Sequence, residues 1–96
     1  MNIPINYSLK QNYPNPFNPV TTIAYQIAKS EFVNISIFDL AGNRIKSILN
    51  QRVNSGLGYA NWYGKNEIGQ NVSGGIYLYK IDTPSFSQTR KMILLK

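Results

Sequence analysis

Catalysis near neutral pH needs a group that exchanges a proton or attacks an electrophile, usually steadied by a partner. This sequence has no histidine and no cysteine. Its four carboxylates, Glu31, Asp39, Glu67 and Asp82, are spread singly along the chain, so folding alone would have to assemble a glycosidase-like pair. Oxygen-only metal sites gather several acidic ligands, whereas Asp39 and Glu67 read as turn residues without acidic neighbours. Gly74-Gly75 is followed by no helix whose N-terminus could receive an anion, and reads as backbone packed against a neighbour. The tyrosines could form a sugar-stacking platform, but at a period of two in strands they read as core. No catalytic residue, cofactor or metal ligand is nominated.

The net charge of +6 invites a nucleic-acid reading. The cations are scattered singly from Lys10 to Lys96, with only Arg90-Lys91 adjacent, which describes a solvated basic surface. No apolar run reaches membrane-spanning length, and Met1-Asn2-Ile3-Pro4-Ile5-Asn6 lacks the regions of a signal peptide, so any export signal is expected elsewhere. Ninety-six residues suffice for one core, held by packing alone. Residues 1–7 read as a linker remnant and residues 8–96 as a single domain.

The elements that would position any site begin with a stiff strap. In Asn12-Tyr13-Pro14-Asn15-Pro16-Phe17-Asn18-Pro19 three prolines fix their own backbone and push the preceding residues out of the helical region. Tyr13 and Phe17 are expected to pin the strap to a sheet, while the asparagines bond its unpaired backbone groups. A short strand over 7–11 precedes it, with Leu9 inward. Residues 20–27 alternate with Thr21, Ile23, Tyr25 and Ile27 on one face, and 32–38 alternate Val33, Ile35 and Ile37 against Asn34 and Ser36. In the turn between 38 and 44, Asp39 is placed to accept a backbone N–H and Gly42 to supply positive φ. Residues 44–49 return as a strand, with Ile48 available to the opposite side or to a bulge, or 44–50 make one or two helical turns. Gly58, Ala60 and Trp62 share a face, which suggests a slot that the indole fills. The strand over 76–82 is apolar on both faces and therefore central, and 88–96 closes the chain. Six or seven antiparallel strands with frequent turns are the pattern of an immunoglobulin-like or fibronectin-like β-sandwich.

These residues resemble a known family, the type A C-terminal sorting domain of the bacterial type IX (Por) secretion system, from about Ser8 to Lys96. The resemblance is carried by Leu9-Lys10-Gln11 running into the strap, then Thr21-Thr22-Ile23-Ala24-Tyr25 and Val33-Asn34-Ile35-Ser36-Ile37-Phe38-Asp39 with Gly42. Gly56, Trp62, Gly64, Asn66, Gly69, Val72, Gly75-Ile76-Tyr77-Leu78-Tyr79 and Lys91-Met92-Ile93-Leu94-Leu95-Lys96 complete it. It departs at Tyr63, where the family usually carries an aspartate.

The resemblance implies a non-catalytic address on an exported protein, in the periplasm in transit and then at the cell surface or outside. Its implied partners are an N-terminal cargo domain, an outer-membrane translocon and a sortase-like peptidase that removes the domain, often attaching the cargo to surface lipopolysaccharide. The residues expected to be recognised are Ser73, Gly74 and Gly75 with Lys91, Met92, Ile93, Leu94, Leu95 and Lys96, the last strand offering an accessible edge for strand addition. An ordinary closing strand is the plainer account of Lys91 to Lys96. Two other readings fit the same sandwich. A carbohydrate-binding or adhesion module predicts exposed aromatics such as Tyr59 and Tyr63. A structural module like that of flagellar hook-capping proteins predicts oligomerisation and has no use for the strap.

Overall fold

Seven strands, and among the described residues no helix, account for the alternating pattern. The computed structural model describes residues 6–95. The strands are β1 (Ser8–Leu9), β2 (Thr21–Ile27), β3 (Glu31–Phe38), β4 (Arg44–Val53), β5 (Gly56–Trp62), β6 (Gly75–Asp82) and β7 (Ser87–Leu94). They form two antiparallel sheets, ordered β1-β2-β5 and β4-β3-β6-β7. The sheets stack as an immunoglobulin-like sandwich.

The period of two decides what is buried. From β2 come Ile23, Tyr25 and Ile27, from β3 Val33, Ile35 and Ile37, and from β6 Tyr77, Tyr79 and Ile81, all inside. Ala60 and Trp62 of β5, Met92 and Leu94 of β7, Leu9 and Phe17 fill the remaining space. β6 lies between β3 and β7, the central position that its two apolar faces require.

Several local expectations are corrected. The first strand keeps only Ser8 and Leu9, because Asn12 onward turns away into the strap. Residues 44–53 form one strand with no helical turn, and its register slips twice against β3. Leu49 faces Ile35 and Ser47 faces Ser36, so Ile48 is the extra residue of a bulge. The slot beside Gly58 belongs to Tyr25 rather than the indole: a Cβ at Gly58 would lie 2.2 Å from the Tyr25 ring. Trp62 packs instead against Phe17 and edge-on against Tyr77, at centroid distances of 5.8 and 5.2 Å. β7 ends at Leu94, and Lys96 lies outside the described residues.

Candidate functional site

The strap is packed, and two of its asparagines, Asn12 and Asn15, hold it. Asn12 is buried, donating through Nδ2 to Thr21 Oγ1 at 2.9 Å and Pro14 O at 3.2 Å. Its backbone N–H donates to the Tyr79 hydroxyl at 2.8 Å, and that hydroxyl donates to Lys10 O at 2.7 Å. A phenol on the central strand thus serves two backbone groups of a segment with no ladder of its own. Burial raises the Tyr79 pKa, opposed by the Asn12 N–H and the Arg90 charge, so the phenol stays a neutral donor.

Phe17, buried to 1% exposure, pins the strap as expected, whereas Tyr13 does not. Tyr13 pairs with Thr22 through its backbone and leaves its ring 80% exposed. Pro14, Asn15, Pro16, Asn18 and Pro19 are also exposed.

From β2 the strap crosses to the outer edge of β7. Phe17 N donates to Ile93 O at 3.0 Å and Leu95 N donates to Phe17 O at 2.8 Å, a one-residue parallel bridge opposite Leu94. Asn15 Oδ1 accepts the Ile93 N–H at 2.9 Å, and Gln11 Nε2 donates to Lys91 O at 2.9 Å. Upstream, Gln88 Oε1 accepts the Leu9 N–H and Arg90 Nε donates to Leu9 O at 2.6 Å. The accessible edge expected at the last strand is therefore corrected: over residues 91–95 the strap already occupies it.

The turn at 73–75 meets the same strand from its other side. Gly75 stands opposite Leu94 and Ile76 opposite Ile93. The Tyr77 hydroxyl donates to Ser73 O at 2.5 Å, fixing the turn to the core. Gly75 has φ of 152° and empty space where a Cβ would be, so conformation and not close packing demands glycine, against expectation. Ser73, Gly74 and Gly75 are exposed, as are Lys91, Ile93 and Leu95, while Met92 and Leu94 belong to the core.

Three sequence segments thus become one surface. The side chains that join them, Gln11, Tyr79, Gln88 and Arg90, were not nominated from the sequence. A period of two marks which face a residue takes and not which distant backbone group its polar tip will bond.

The carboxylates serve locally. Asp39 Oδ1 accepts the N–H groups of Ala41 and Asn43, and Oδ2 accepts Asn43 Nδ2; these bonds, the Asn43 side chain first, lower its pKa. Glu31 is buried and accepts the Tyr7 hydroxyl, which chiefly lowers its pKa. Tyr7 also stacks on Phe86. Among the described residues no three acidic, histidine or cysteine side chains gather as a metal group. A cavity of about 290 Å³ is lined by Lys46, Trp62 and, from the loop after β5, Tyr63, Lys65, Asn66 and Gly69. On the outer face of the three-stranded sheet, Tyr59 and Tyr63 are 67% and 53% exposed.

Comparison with known proteins fits this geometry. No curated protein sequence matches the chain. Among solved structures, dimeric latent PorU of Porphyromonas gingivalis is similar with a TM-score of 0.74 at 21% identity, covering 88% of this chain and 9% of that one. PorZ of the same organism, described as an essential surface component of the type IX secretion system, is similar with a TM-score of 0.61 at 19% identity, covering 94% and 11%. The chain spans about a tenth of the length of each, and at these identities the likeness is one of fold. The family model of the secretion system C-terminal sorting domain matches residues 11–95, which takes in the strap, the turn at 73–75 and β7. The chain therefore belongs to the family of type IX secretion C-terminal sorting domains, which address exported proteins to the cell surface or the medium.

Proposed function

We propose that the domain is read, folded and without catalysis of its own, by the outer-membrane type IX translocon. The surface that is read is the strap over 12–19 together with Ser73, Gly74, Gly75 and the exposed residues of 91–96. Residues 1–7 link it to an N-terminal cargo domain, and Tyr7, stacked on Phe86, anchors the junction. The protein passes through the periplasm, and a sortase-like peptidase then removes the domain and attaches the cargo to the surface. One observation carries this reading: Leu94 is bridged by Phe17 on one side and paired with Gly75 on the other, so three distant motifs share one strand.

The test is the location of a fluorescent reporter carrying an export signal and ending in residues 1–96, in a type IX-competent host and its translocon-deficient mutant. Surface or medium fluorescence in the competent host alone is expected. Periplasmic retention in both, with the domain folded, would remove the sorting reading in that host.

A second reading rests on Tyr13, Tyr59 and Tyr63, exposed on or beside the outer face of the three-stranded sheet. Thr22 Oγ1 donates to Asn61 Oδ1 at 2.8 Å between them, leaving the Asn61 amide nitrogen available to a sugar hydroxyl. A glycan screen with no binding to wild type, or binding unchanged in Tyr59→Ala, would dismiss it.

A further inference from the structure

The outer face of the four-stranded sheet is divided in two. At the β2–β3 end the single ring of Phe32, 48% exposed, stands opposite Arg52, and next to it the face is polar and self-satisfied: Asn34 Nδ2 donates to Ser47 Oγ at 3.0 Å and Asn50 Oδ1 at 3.2 Å, and Ser36 Oγ donates to Asn34 Oδ1 at 2.7 Å. Toward the turn at 73–75 these bonds stop. There the register aligns Arg44, Phe38, Leu78 and Lys91 in one row across all four strands, with a cation at each end and an apolar pair between. In the next row Ile76 stands beside Ile93, 41% and 38% exposed, and Leu95 continues the strip toward the strap at 50%. Lys80, opposite Ser36 and Thr89, borders the patch on its polar side. The one ion pair among the described residues joins Lys46 to Glu67, so Arg44, Lys80 and Lys91 face outward with their charge uncompensated there.

Resting on the sorting reading, we propose that this half-face is the docking surface for a protein of the export machinery whose contact has an apolar centre rimmed by carboxylates. Charge complementarity selects that partner: three cations frame an apolar strip, and Asp82, the face's carboxylate, lies in the polar half. Neighbouring strands place the Arg44 and Lys91 backbones roughly 14 Å apart, the scale of one protein contact rather than of an extended track. An anionic bilayer fits less well, because Phe38 and Leu78 lie only partly exposed in the row and project no side chain deep enough to insert. The patch takes in Ile76, Lys91, Ile93 and Leu95, so it gives the turn-and-strand motif a defined face and adds Arg44 and Phe38 to it.

The reporter fusion tests the assignment. Arg44→Glu with Lys91→Glu should cut surface fluorescence roughly tenfold or more, as expected when like charges meet at an interface rim. Lys29→Glu with Arg52→Glu, an equal charge change elsewhere, should leave export near wild type. Thermal melts establish folding, and if the reversed pair melts early, Arg44→Gln with Lys91→Gln supplies the readout, with a smaller loss expected. Folded variants exported like wild type overturn the patch while leaving sorting intact. Co-sedimentation of the wild-type domain with phosphatidylserine-containing vesicles, lost on charge reversal, overturns the protein partner in favour of a membrane. Wild type retained in the competent host removes the sorting reading, and the patch with it.

Discussion

The sandwich has two long sides, and the chain closes them by opposite means. On one side the strap spans from β2 to β7, using a buried asparagine that braces it locally, and a buried phenylalanine and the hydroxyl of a central tyrosine that tie it to strands far away in sequence. On the other side, the loop after β5 closes on itself. Asn66 Oδ1 accepts the N–H groups of Ile68 and Gln70, and Trp62 Nε1 donates to Lys65 O. Beyond the loop, Val72 packs against the core, and Glu67 accepts the Ser47 N–H at 3.3 Å and pairs with Lys46 at 3.6 Å on the surface. The first closure is built into the core and must cost stability when broken. The second is a local turn with a solvent-screened ion pair.

Removing the ring that seats the strap should have the largest effect. Phe17→Ala is expected to cost about 3–5 kcal/mol and, by freeing the 91–95 edge, to promote self-association. Urea melts and sedimentation check both; a loss under about 1 kcal/mol would place the strap outside the cooperative fold. Next, Tyr79→Phe keeps the packing but strands the Asn12 N–H and the Lys10 carbonyl, at about 1–3 kcal/mol. A neutral result would show that other groups can satisfy them.

The strap side also begins with a titratable contact. The Glu31 pKa is lowered in the fold, chiefly by the Tyr7 hydroxyl, so its contribution is full above the ordinary glutamate value and is lost as pH falls through the folded one. Glu31→Gln should therefore flatten the fall in urea midpoint as the pH drops below the ordinary glutamate value. An unchanged slope assigns that fall to other carboxylates such as Asp39. The smallest change is expected across the sandwich: Glu67→Gln should shift stability by no more than about 0.5 kcal/mol. A larger loss would erase the contrast between the sides.

Much of this was legible in the sequence, since alternation in 20–27, 32–38 and 76–82 states both the strand and its buried face. The bulge at Ile48 was legible as an alternative, because an apolar residue out of phase must leave the ladder or the core. What was not legible depended on partners distant in sequence. Nothing in Gly58 says whether Tyr25 or Trp62 fills its space. Nothing in the strap says that Tyr13 stays out while Phe17 goes in, since both are aromatics beside proline. The occupied edge of β7 was hidden for the same reason: a strand's own residues do not reveal who sits beside it. For the candidate site, the motifs pointed to separate segments, and only the β6–β7 register showed the turn at 73–75 lying beside the end of β7.

The Phe17–Leu94 bridge sets an order of events. Synthesis proceeds from the strap toward β7, so Phe17 exists long before the strand edge and the indole that seat it. Until β7 is made, the strap has nothing to close against, and the long loop between them must be gathered before the contact repays it. Such a construction works as a receipt, legible only after its last strand has been delivered.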